Sequence, residues 1–166
     1  MTDARPALLA FPTIAVAFIA LGGCATIGVT PPATRVSSLR LVDETTDGAL
    51  FEMTIEGANR TAKDLRLETV RYWMTLDGRR VFQATRSPQS TFSALDIRTF
   101  SAPIAVPAAA LPDDRASASY EVGATIVYRV PGPLAQTLFE LGLSRPRVRV
   151  RSAGRGLPVS AGEPAP

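Results

Sequence analysis

The sequence predicts an all-β fold, an antiparallel β-sandwich of about seven strands. Two observations predict it. Short runs of alternating apolar and polar residues recur between Val36 and Arg151 with turn-forming residues between them, and no helical periodicity extends beyond eight residues. Strands of this kind bury one side and leave the other in water, and two sheets packed face to face satisfy them all.

The clearest strand is Leu50 to Glu56, where Phe51, Met53 and Ile55 point one way and Glu52, Thr54 and Glu56 the other. Ahead of it, Val36 to Val42 reads as a weaker strand with Leu39 and Leu41 inward, joined through the acidic turn Asp43 to Gly48. After it, Leu65 and Leu67 set one phase while Val70, Tyr72, Met74 and Leu76 continue in the opposite one, and a bulge near Thr69 reconciles them. Asp77-Gly78 tolerates the positive φ of a type I′ turn and leads into Arg80 to Ala84. Ile97 to Val106 follows, with Phe100, Ile104 and Val106 on one face and Pro103 marking an edge or a bulge. In Tyr120 to Val130 the residues Tyr120, Val122, Ala124, Ile126, Tyr128 and Val130 share a face, and Arg147 to Arg151 closes the set. One stretch is helical instead: Leu134, Leu138 and Leu141 form a stripe between Pro133 and Gly142, and its expected place is as a cap over the open end of the sandwich.

The chain begins with the three parts of an export signal: Arg5 in a short n-region, an apolar run from Ala7 to Leu21, and small residues after it. The lone cysteine of the chain, Cys24, follows in Leu21-Gly22-Gly23-Cys24, which resembles the bacterial lipobox. That resemblance implies cleavage before Cys24 and acylation of its thiol, with Leu21, Gly22 and Gly23 as the recognition residues. Left uncut, Ala7 to Gly23 extends roughly 25 Å as a helix, marginal against a hydrocarbon core of roughly 30 Å. The expected organisation is a signal peptide at 1–23, a lipidated tether at 24–35, the sandwich at 36–151 and a frayed tail at 152–166. Ala25, where enteric bacteria use aspartate for inner-membrane retention, leans the address toward the outer membrane, facing the periplasm.

Composition removes many functions. There is no histidine, and hence no Ser-His-Asp or Cys-His arrangement and none of the commonest transition-metal ligands. One cysteine forms no intramolecular disulfide and no cysteine-based zinc site. Of the 18 cationic residues only Lys63 is lysine, and it lies in a turn-like stretch, so a Ser-Lys dyad has no good candidate. Asp43-Glu44-Thr45-Thr46-Asp47-Gly48 starts like a calcium loop, but Thr45 breaks the third position and Thr54 stands where the bidentate glutamate belongs. Asn59-Arg60-Thr61 is formally a glycosylation sequon and carries little weight beside a lipobox. No catalytic residue, cofactor or metal is expected, and a net charge of +3 does not argue nucleic-acid binding. The expected partners are the membrane, through Cys24, and an envelope protein or anionic lipid met by Arg145, Arg147, Arg149 and Arg151, which share one face of the last strand. The competing account of those arginines is a solvated face that blunts an edge strand. A monomer is expected.

The order of features resembles the late-embryogenesis-abundant type 2 family, whose unit is the water stress and hypersensitive response domain. The residues that carry this are Val36-Ser37-Ser38-Leu39-Arg40-Leu41, Phe51 to Ile55 running into Gly57-Ala58-Asn59-Arg60, Leu65-Arg66-Leu67 leading to Val70 through Gly78, Ser119 to Ala124, and Gly156-Leu157-Pro158. The family's Asn-Pro-Asn turn stands here as Ala58-Asn59-Arg60. The resemblance implies an immunoglobulin-like or fibronectin-like sandwich associated with desiccation, and, in bacteria, a lipoprotein without an established catalytic set. A lipoprotein adaptor of an envelope complex is the alternative.

Overall fold

The computed structural model describes residues 30–158. Within them are β1 (Ala33–Thr45), β2 (Gly48–Asn59), β3 (Leu65–Leu76), β4 (Arg79–Arg86), the two-residue β5 (Thr91–Phe92), β6 (Asp96–Pro107), β7 (Ser119–Arg129), α1 (Pro133–Glu140) and β8 (Arg147–Arg155). They form an antiparallel sandwich. One sheet has the order β1-β2-β6, the other β4-β3-β7-β8 with β5 paired to the start of β3. The proposed signal and tether residues before 30, Cys24 and its lipobox among them, lie outside the described residues, as do residues 159–166.

The core follows from strand alternation. In β2 every second residue from Ala49 to Asn59 is buried, and Phe51, Met53 and Ile55 meet Leu65, Leu67, Val70 and Met74 of β3 and Val122, Ala124 and Ile126 of β7. Each such side chain contributes about 1.5–3 kcal/mol by leaving water. The register between β3 and β7 shifts between Leu67 and Thr69, and this bulge lets both phases of β3 face inward. Asp77 and Gly78 have φ of 47° and 77°, as a type I′ turn requires. Asp77 also ties the turn to β7, since the Ser119 N–H and hydroxyl both donate to its Oδ1, at 2.8 and 3.0 Å. Leu39 and Leu41 pack half-buried against the core, and β6, which carries Pro103, is an edge strand.

Three expectations are corrected. The first strand starts at Ala33, inside the stretch read as tether. The last strand continues to Arg155, and Leu157 is a core residue, 6% exposed, so the start of the supposed tail is structured. Ser152 to Arg155 has no apolar alternation to read, but its backbone pairs with Ser119 to Val122, and the Leu157 N–H donates to the Arg115 carbonyl at 2.9 Å. The third correction concerns α1, which caps nothing: it buries no residue, and Leu134 and Leu141 of its stripe face solvent. Only its inner side, with Leu138 and Phe139 half-buried, rests on the end of β7.

Candidate binding face

In both sheets the residues that alternate with the core make an outer face, and the two outer faces differ in charge. On the smaller sheet cations and anions match across strands. Arg35 donates twice to Glu56, at 3.0 and 2.9 Å, and Arg40 donates to Glu52 at 2.8 Å. The Glu56 carboxylate accordingly raises the pKa of Arg35. The larger sheet has no such balance. Its register sets Thr85, Arg71, Thr125 and Arg149 in one row across β4, β3, β7 and β8, and Arg147 opposite Val127 in the next. Arg71, Arg147 and Arg149 are exposed, and none has an acidic partner among the described residues. The acids on this face are already engaged: Glu121 lies 3.7 Å from Arg151, and Glu68 lies 3.0 Å from Arg129 and 3.9 Å from Arg66.

Trp73 sits at the centre of this face. Its neighbours Tyr72 and Met74 enter the core, so the indole points outward, yet it is only 9% exposed. The missing side chain of Gly123, its partner across the strands, explains this. A Cβ there would come within 2.5 Å of the indole Cζ2, so glycine lets the ring lie flat on β7. Two guanidinium groups flank the ring, Arg80 at 5.2 Å and Arg151 at 5.9 Å from its centre. Such cation–π contacts contribute about 0.5–1 kcal/mol each at exposed sites and help hold both arginines in place. Arg80 also donates to the Gln83 Oε1 at 3.1 Å, and Arg151 faces Glu121.

Of the sequence-predicted contacts, Arg147, Arg149 and Arg151 alternate outward along β8, which is an edge of the larger sheet. Arg145 precedes the strand and turns instead toward Phe139 of α1, 5.8 Å from its ring centre. Sequence reasoning missed Arg71 and Arg80. Their signal was present, since Arg71 and Trp73 share the phase opposite to Val70, Tyr72 and Met74, but only the cross-strand register brings them beside β8. Elsewhere a shallow depression of about 350 Å³ beside the β1–β2 turn is lined by Asp43, Thr45, Asp47 and Ala105 to Pro107. Among the described residues no group of acidic or thiol side chains is placed to hold a metal ion.

No family model and no curated protein matches the sequence. Solved structures do, two of them over most of this chain. The solution structure of AT1g01470 from Arabidopsis thaliana superposes with a TM-score of 0.53 at 14% identity, over 84% of this chain and 93% of that one. The solution structure of At2g46140.1, described as a late embryogenesis abundant protein, superposes with a TM-score of 0.58 at 15% identity, over 76% of this chain and 71% of that one. The likeness is one of fold. It establishes the antiparallel sandwich, the architecture that the family resemblance implied.

Proposed function

We propose that this chain is a lipid-anchored, non-enzymatic domain of the bacterial cell envelope, related to the late-embryogenesis-abundant type 2 proteins, which acts through its surface during water stress. The lipobox-like Leu21-Gly22-Gly23-Cys24 supports the anchor, and the sandwich shared with a late embryogenesis abundant protein supports the relationship. The observation that carries a binding role is the imbalance between the two outer faces. On one, Arg71, Arg147 and Arg149 stand without acidic partners among the described residues beside a held tryptophan, whereas the other is neutralised by its own ion pairs. Arg71 and Arg149 are two strand spacings apart, about 10 Å, a separation suited to successive anionic groups on an extended partner.

Protection of a model enzyme through drying and rehydration tests the reading. The lipidated chain is expected to preserve enzyme activity at low molar ratio, and Arg71→Glu/Arg149→Glu to lose most of that protection while melting normally. Protection no better than an equal mass of albumin would overturn it. The adaptor reading draws on the larger sheet, because the edges of the smaller one are poor templates for strand addition: β1 is bulged twice and β6 carries Pro103. A photo-crosslinker at position 149 that captures a single envelope protein in cells would favour the adaptor.

A further inference from the structure

We infer that the end of the sandwich where the chain enters docks onto the anionic phospholipid surface to which the chain is tethered, with α1 and its following turn lying in the headgroup layer. The inference rests on the lipid-anchor reading above and adds an orientation and a contact surface to it.

The antiparallel register places the start of β1, the end of β7, α1 and the start of β8 at one end of the molecule. Both tight turns, at Thr45–Gly48 and Asp77–Gly78, lie at the other. The entry end is where large apolar side chains stand in water. Leu134 is 64% exposed, Leu141 65% and Leu143 73%, and Leu95 and Ile97 also lie at this end; among the described residues only Val42, 45% exposed, lies toward the far one. Free exposure of this much leucine on one short connection is unfavourable in water and favourable at a lipid interface.

The connection is held in shape. The Leu143 and Gly142 N–H groups donate to the Leu138 and Phe139 carbonyls, at 2.9 and 3.0 Å, which closes the helix end and presents Leu141 and Leu143. Phe139 is bracketed by Arg129 at 5.0 Å and Arg145 at 5.8 Å, so the inner side of α1 is braced while its outer side stays free. Arg147 begins β8 beside them. Leucines that insert and arginines that meet phosphate are the two halves of an interfacial segment, since a cation near an anionic surface contributes about 1 kcal/mol.

Tether length selects the occupant. Cys24 stands nine residues before Ala33, a span of at most about 32 Å when fully extended. Strands of 12 residues make the sandwich about 40 Å long, so the domain cannot invert and present its far end to the bilayer. The leucine-bearing end is the one the tether keeps nearer the lipid.

The test uses the full chain, processed in a bacterial host, carrying Leu141→Cys or Val42→Cys, labelled with an environment-sensitive nitrobenzoxadiazole dye and reconstituted into vesicles. An acylated Cys24 has no free thiol, so one dye per chain is expected. Two dyes per chain would overturn the anchor reading itself. With one dye, the label at position 141 is expected to shift to the blue and brighten in vesicles containing phosphatidylglycerol, while the label at 42 keeps its aqueous spectrum. In the unlabelled-charge variant Arg145→Gln/Arg147→Gln the ratio of docked to undocked chains should fall roughly thirtyfold at low salt. Arg145→Lys/Arg147→Lys should restore it, which separates charge from the bracing of Phe139. Equal aqueous spectra at 141 and 42 with one dye per chain would overturn the docking and leave the anchor standing. A shift at 141 that grows with protein concentration in lipid-free micelles would assign the patch to a second copy and overturn it too.

Discussion

Asn59 shows how one side chain organises a segment that looks on paper like a solvated turn. It is 1% exposed, and its amide is fully used: Nδ2 donates to the Lys63 and Phe92 carbonyls at 2.7 and 2.9 Å, and Oδ1 accepts from the Thr61 N–H and hydroxyl at 3.1 and 2.8 Å. The formal sequon is therefore an internal clasp, and Asn59 is the residue that closes the loop onto β5. Asn59→Ala leaves these backbone groups without partners and should cost about 3 kcal/mol in urea unfolding. Asn59→Asp should do no better, because a carboxylate has no N–H for the two carbonyls; a loss under about 0.5 kcal/mol in either would contradict the clasp. Tyr128 supplies a pH dependence. Burial raises its phenol above the ordinary value of 10.0, so the native state holds this proton more tightly than the unfolded chain does. The contribution to stability is complete below pH 10.0 and is lost as pH rises from there toward the native value. Melting temperature should fall on alkaline titration, and Tyr128→Phe should flatten that fall; parallel alkaline slopes in the two proteins would rule the residue out as its source.

At the scale of elements, legibility in the sequence follows from whether an element's partner writes a local pattern. β2, β3 and β7 are legible because each has one side in the core and one in water, and even the β3 bulge shows as a change of phase at Thr69. β5 is not, since two residues make no pattern and its reason is distant: the Phe92 ring lies against Gly57, where a Cβ would come within 2.2 Å of it. The second half of β8 is silent for a related reason, because Ser152 to Arg155 is held by the backbone of β7 rather than by its own apolar side chains. A leucine stripe in α1 reads as burial, yet only the side toward Arg129 and Arg145 finds packing, so the pattern named the element and misjudged its place. The binding face divides in the same way. Arginine alternation in β8 is visible within five residues, whereas the meeting of Arg71, Trp73 and Arg80 with it depends on register across four strands.

At the scale of the whole molecule, the proposed anchor and docking end fix how the arginine face would be presented. With the entry end on the lipid, the outer face of the larger sheet stands out of the bilayer plane, where the exposed Arg71 and Arg149 are open to partners in the surrounding space. The proposed arrangement rests on acylation of Cys24, because arginines and three leucines on one connection would give reversible attachment, whereas two or more acyl chains at about 0.8 kcal/mol per buried methylene would not release. Intact mass and membrane fractionation of the expressed chain beside Cys24→Ala separate the two contributions. The unaltered chain should lack residues 1–23, carry the added mass of its acyl groups and resist extraction by high salt. Cys24→Ala should keep its full mass and lose the acyl groups. If the unaltered chain is recovered uncleaved and unacylated, Ala7 to Gly23 becomes the anchor and the tether to Ala33 gains a single residue, so its reach of at most about 36 Å still falls short of the sandwich's length and the same end faces the lipid.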